Sequence, residues 1–247
     1  MILQFDGILN VRDLGGIAAA DGKKIKPGLL YRGGKLDCAS DADIARLTQE
    51  LRLRHVVDFR DFNELKRSPD RPVPGAAYCH LPALPVPPGK TPPEMGRPAR
   101  PNFEAVFCRI YRELAESGEA AAAYRAFFRL LLRCEGPVFW HCAQGKDRVG
   151  VATLLLLAAL GVDRETAEAD YFVTNECLRP ELERELASPE RIWPPEELER
   201  LYQVWSEPLT IWEERVAALY GGPVGYLTGR LGLTEADLRA LRDAYLE

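Results

Sequence analysis

The stretch His141-Cys142-Ala143-Gln144-Gly145-Lys146-Asp147-Arg148-Val149-Gly150 decides how this chain is read. Five residues separate Cys142 from Arg148. Before it, Pro137-Val138-Phe139-Trp140 is short, apolar and β-favouring; after it, Val149 to Leu160 runs apolar without a break. The pattern predicts a strand, a tight loop and a helix start. Loops of this kind hold an oxyanion on backbone N–H groups at the positive end of a helix. A cysteine at the loop base is then placed to attack a bound phosphorus.

The residue types suit that chemistry. A free thiol titrates at about 8.5, so little of it is nucleophilic at neutral pH. Converging amides, a neighbouring arginine and a helix N-terminus lower cysteine values to roughly 3.5–7.5. Arg148 offers a planar fork that matches two phosphate oxygens. Gly145 permits a tight turn where a side chain would block the anion. His141 is expected to hydrogen-bond the loop backbone and orient it. Candidate phosphate- and substrate-binding positions are Ala143, Gln144, Gly145, Lys146 and Val149, joined by Asp58 and Arg60. Lys146 is expected to add a second positive charge over the phosphate; the plainer reading is a solvated lysine on the loop rim.

Cys-x5-Arg resembles the signature of the protein tyrosine phosphatase superfamily. The fuller string His141-Cys142-x-x-Gly145-Lys146-Asp147-Arg148 is similar to the bacterial LipA-like, atypical lipid-phosphatase group. Further blocks resemble the same group in order: Asn10-Val11-Arg12-Asp13-Leu14-Gly15-Gly16, Leu30-Tyr31-Arg32-Gly33-Gly34-Lys35-Leu36, Val57-Asp58-Phe59-Arg60 followed by Glu64, and Tyr220-Gly221-Gly222 through Thr234. Several blocks in order are harder to obtain by chance than one. The resemblance implies a cysteine-phosphatase fold and a phosphocysteine intermediate on Cys142. It assigns the general acid/base role to Asp147, whose plainer reading is a helix N-cap. Asp58 is the second candidate proton donor or orienter. No Trp-Pro-Asp tripeptide exists; Trp193-Pro194-Pro195 reads as a helix entry. The family usually carries Ser at the position of Gly33. It usually carries Thr or Ser at that of Val149, where a hydroxyl bonds the cysteine sulfur; its absence should slow breakdown of the intermediate. The lysine in the loop occurs in lipid-directed relatives and implies tolerance for phosphoinositides.

Other readings are disfavoured. A rhodanese-type loop has four residues between cysteine and arginine, and an arsenate reductase carries its cysteine loop near the N-terminus. A catalytically weak phosphate- or phosphoinositide-binding protein stays open because of Val149.

Composition limits the function further. A chain of 247 residues with 47% hydrophobic content buries a substantial core and is expected to form a single domain over 1–247. The net charge of −5 gives no general attraction to nucleic acid or anionic membrane. The longest apolar run is too short to span a bilayer, and the N-terminus lacks signal-peptide character. A cytoplasmic location is therefore expected, with export by an unconventional route left open. Six cysteines lack Cys-x-x-Cys spacing and the three histidines make no metal pattern, so no metal, cofactor or disulfide framework is expected. The expected partner is a phosphorylated protein or a phosphoinositide.

Alternation of strands and helices predicts an α/β fold, a mostly parallel central sheet flanked by helices. A β-ribbon is expected from 11–16 and 29–32, a capped helix from Ser40, strands at 55–59 and 77–81, and a helix at 120–133. Residues 82–118 hold a proline-rich break followed by an apolar stripe, Phe103, Val106, Phe107, Ile110 and Leu114. The stripe reads as core or as a helical lid edged by Arg97, Arg100, Arg109 and Arg112. From 163 to 247 the chain reads as helices: 163–172, 175–187, 195–204, 210–220 and 234–246.

Overall fold

A computed structural model describes residues 1–84 and 102–247. It shows an α/β fold with a mixed five-stranded sheet in the order β1-β2-β5-β3-β4. The strands are β1 (Arg12–Asp13), β2 (Leu30–Gly33), β3 (His55–Asp58), β4 (Ala77–His80) and β5 (Val138–His141). Among these described strands only the β1–β2 pair is antiparallel; β2, β5, β3 and β4 run parallel. β5 lies between β2 and β3 and is buried at every position, as a continuous apolar run in a parallel sheet should be. Its last residue, His141, stands level with Gly33 of β2 and Asp58 of β3. The chain leaves all three strands at one edge, where open α/β sheets bind ligands.

The helices are α1 (Asp41–Ala45), α2 (Phe62–Arg67), α3 (Phe103–Glu116), α4 (Gly118–Leu131), α5 (Asp147–Ala159), α6 (Arg164–Ala187), α7 (Pro195–Tyr202), α8 (Ser206–Tyr220), α9 (Pro223–Gly225) and α10 (Glu235–Tyr245). α5 is apolar all round and is buried from Val149 through Leu157, so it forms the centre of the main core. Capping boxes at Ser40 and Thr234 and the Asp163 cap start α1, α10 and α6 where the sequence places them. Gly221 ends α8 in the left-handed conformation.

Three expectations are corrected. The two helices expected at 163–172 and 175–187 are one, α6, with Pro180 inside it. Thr210 does not start α8, which begins at Ser206 on the Trp205 N-cap. α2 was not expected; Asp61 caps it in a reciprocal box with Glu64. Of the lid reading for 82–118, residues 85–101, with Arg97 and Arg100, lie outside the described residues. The described part, α3, packs along α8 and buries Phe107, Tyr111, Leu114 and Ala115. Among the described residues no helix is long and apolar enough to cross a membrane.

Candidate active site

The loop after β5 is anchored through its carbonyls. Lys35 N donates to Ala143 O at 3.2 Å. Asn10 Nδ2 donates to Gln144 O at 3.0 Å and to Gly145 O at 3.1 Å, and Arg32 adds a second donor to Gly145 O at 2.9 Å. No peptide bond is cis among the described residues. In a trans peptide the N–H points opposite to its C=O. The amides of Gln144, Gly145 and Lys146 therefore face away from their anchored carbonyls. Among the described residues, no amide from Ala143 to Val149 donates a hydrogen bond within the protein. α5 begins at Asp147 and adds the positive end of its dipole.

Gly145 is required twice over. Its φ is +68°, and a Cβ there would lie 2.4 Å from the carbonyl carbon and oxygen of Gly33. Cys142, 2% exposed, sits at the base of this cradle.

Arg148 is held by Glu64 of α2 in a two-point pair at 2.5 and 2.8 Å. Its remaining N–H groups can face an anion. Burial opposes the Glu64 charge, but Arg148 and the Asp61 cap prevail and hold that carboxyl at about 2. Burial likewise pulls the Arg148 guanidinium down, while Glu64 and Cys142 push it well above its usual value. Tyr124 of α4 donates to Arg148 O at 3.0 Å and fixes the backbone there.

Asp147 is partly exposed, with its carboxylate 3.9 Å from Lys146 Nζ. Tyr111 and Tyr171 share a 2.7 Å hydrogen bond nearby, and burial, reinforced by Asp147, raises both phenols. Asp147 is the first residue of α5 and is not its N-cap, which is Lys146.

Three candidate residues are placed differently from expectation. Lys146 is 1% exposed, so it is neither a rim lysine nor a charge aimed at the cradle. Its Nζ donates to Leu201 O at 2.8 Å and Gln203 O at 3.1 Å and stands 3.8 Å over the Phe107 ring. It ties the loop to the C-terminal end of α7. Asp58 and Arg60 are both fully buried and bind each other. Arg60 also holds Asp70 Oδ2 at 2.6 Å and Ser68 O at 2.8 Å, and Tyr78 donates to Asp58 at 2.8 Å. Neighbouring His141 and Arg60 hold the Asp58 carboxyl far below the carboxylate range despite its burial, which unsuits it as a proton donor. The pair braces the sheet end through Asp70, Ser68 and Tyr78.

His141 is fully buried, with Nδ1 3.3 Å from Cys142 O. Its Nε2 lies 3.2 Å from Asp70 Oδ2 without hydrogen-bond alignment. Asp58, Asp70 and His141 stand close enough to share a cation. Arg60 already fills that place between the two carboxylates, so the group is an ion-pair network. Val149 is fully buried in the core.

Sequence reasoning missed Glu64, Asn10, Arg32 and Tyr124 as site residues. The first three stood inside blocks of family resemblance, which was the available signal.

A model of the tyrosine phosphatase family matches residues 3–247. The chain belongs to that family. It is 38% identical over 182 residues to a Cupriavidus necator protein named as a tyrosine-protein phosphatase, across 70% of this chain and 63% of that one. The chain thus spans less than two thirds of that relative's length. It is 27% identical to the triple specificity protein phosphatase PtpB of Mycobacterium tuberculosis, over 99% of both chains. The core catalytic domain of the PP-IP phosphatase SIW14 from S. cerevisiae shows a slight likeness, with TM-score 0.39 and 12% identity over 80% of this chain and 93% of that one.

Proposed function

We propose that this chain hydrolyses phosphomonoesters through a phosphocysteine on Cys142. The observation that carries the reading is the row of anchored carbonyls at Ala143, Gln144 and Gly145, with unpaired amides on their other side and Cys142 at the base. The amides and Arg148 hold the equatorial phosphoryl oxygens as charge develops. Sγ of Cys142 attacks phosphorus while the ester oxygen leaves and takes the Asp147 proton, a transfer worth typically ~10²–10⁴ in rate. Asp147, now a carboxylate, takes a proton from water as that water attacks the phosphocysteine. The S–P bond breaks, inorganic phosphate leaves and the thiolate returns.

Phosphotyrosine heads the proposed substrate order, with phosphoserine, phosphothreonine and phosphoinositide behind it. Lys146 faces α7, so the loop offers no second cation to a further phosphate. The name of the M. tuberculosis relative supports breadth among protein substrates. The His141–Arg148 string supports a place in the LipA-like group, a single domain over 1–247 and action in the cytoplasm completing the proposal.

The test is steady-state hydrolysis of an aryl phosphate, a phosphotyrosyl peptide, a phosphoseryl peptide and a phosphoinositide by wild type and Cys142→Ser. Turnover is expected to vanish in the variant. Equal residual rates in both proteins would remove Cys142 from the chemistry and leave a phosphate-binding protein.

A further inference from the structure

Each cation of the loop itself faces a carboxylate. Arg148 is paired with Glu64, and Lys146 Nζ lies 3.9 Å from Asp147. Behind the loop the balance differs. Arg12 of β1 and Arg32 of β2, 2% and 0% exposed, share one carboxylate, Asp170 of α6. Arg12 Nε is 3.1 Å from Asp170 Oδ1, and an Arg32 terminal nitrogen is 2.8 Å from Asp170 Oδ2. Arg12 also donates to Asp170 O, Thr174 Oγ1 and Asn10 Oδ1. The Arg12–Arg32–Asp170 group thus carries two positive charges and one negative where solvent is excluded.

That surplus charge sits directly against the loop. The other terminal nitrogen of Arg32 donates to Gly145 O at 2.9 Å. Asn10, held by Arg12, bonds the Gln144 and Gly145 carbonyls. Burial and Arg12 pull the Arg32 guanidinium down to about 10, while Asp170 and Cys142 oppose them, so Arg32 and Cys142 lie within electrostatic reach. Tyr124 of α4 and the loop residues Lys146 and Arg148 also lie within electrostatic reach of Cys142. Tyr171 faces Arg32, and Cys177 Sγ is 4.0 Å from Arg12.

We propose that Arg32, set by Arg12 and Asp170, is a positioning residue that fixes the Gly145 carbonyl and holds surplus positive charge behind the loop that follows Cys142. The proposal rests on Cys142 being the attacking thiolate, but its readout requires no turnover.

The experiment is alkylation of the full chain by iodoacetamide across pH. Mass spectrometry of the Cys142 peptide separates it from the other free cysteines, 38, 79, 108, 134 and 177. Arg32→Gln removes the surplus charge, and the midpoint of the Cys142 profile is expected to rise by about one pH unit. Asp170→Asn doubles the surplus and should move the midpoint down. Arg32→Lys keeps the charge without the fork and should stay near wild type. A purely structural role would loosen the loop in all three variants and raise all three midpoints. A rise in Asp170→Asn, or a rise in Arg32→Lys as large as in Arg32→Gln, overturns the proposal. Should Arg32→Gln fail to fold, the sign for Asp170→Asn decides alone. A protein that hydrolyses no ester yet shows the opposed shifts would refute the phosphatase reading and keep this one.

Discussion

Removing the charge of Glu64 tests how the Arg148 fork is held. In Glu64→Gln the shape and one acceptor survive, but the two-point pair at 2.5 and 2.8 Å loses its ionic character. In the wild type the carboxyl stands at about 2 against an ordinary 4.5. At about 1.4 kcal/mol per pH unit, that difference corresponds to about 3 kcal/mol of stability at neutral pH. The sign follows from a depressed folded value. The stabilisation is complete above the unfolded value of 4.5 and disappears as pH falls through about 2. Urea unfolding of wild type and Glu64→Gln should therefore differ by about 3 kcal/mol at pH 7 and by roughly half that at pH 3. In parallel, kcat/KM for an aryl phosphate should fall, because an unrestrained Arg148 no longer meets the phosphate in one geometry. A stability gap that stays constant from pH 7 to pH 3 would refute the ion-pair account.

Asp147→Asn should slow phosphoenzyme formation most for alkyl phosphates, whose leaving oxygen needs a proton, and least for aryl phosphates; equal losses in single-turnover assays would remove Asp147 as donor. Lys146→Met should cost about 1–3 kcal/mol through the orphaned Leu201 and Gln203 carbonyls and lower turnover of singly and multiply phosphorylated substrates alike. A loss confined to phosphoinositides would return that lysine to the phosphate. Gly145→Ala places a Cβ 2.4 Å from the Gly33 carbonyl at a φ of +68°, so the loop must shift; kcat/KM should drop by about 10²-fold with weakened phosphate binding.

The strand–loop–helix unit around Cys142 was legible because its signals are local: an apolar β-favouring run, a glycine at the turn and an unbroken apolar helix. The capped starts of α1, α6 and α10 were legible for the same reason. α2 was not, since six residues are too few to show a helical period, and Glu64 was lost with it as a site residue. α6 was read as two helices, 163–172 and 175–187, whereas burial of Tyr171, Thr174, Leu178 and Leu182 on one face keeps it continuous.

What the linear chain determined by itself is the chemistry on offer, a cysteine and an arginine at fixed spacing on an anion-binding loop in an α/β fold. What only the tertiary structure decided is where each charge goes. Lys146 meets carbonyls 55 and 57 residues away, Arg148 meets a carboxylate 84 residues back, and Asp170 meets arginines 138 and 158 residues before it. Charge pairing acts through space, and a buried charge takes whichever partner the packing brings within reach.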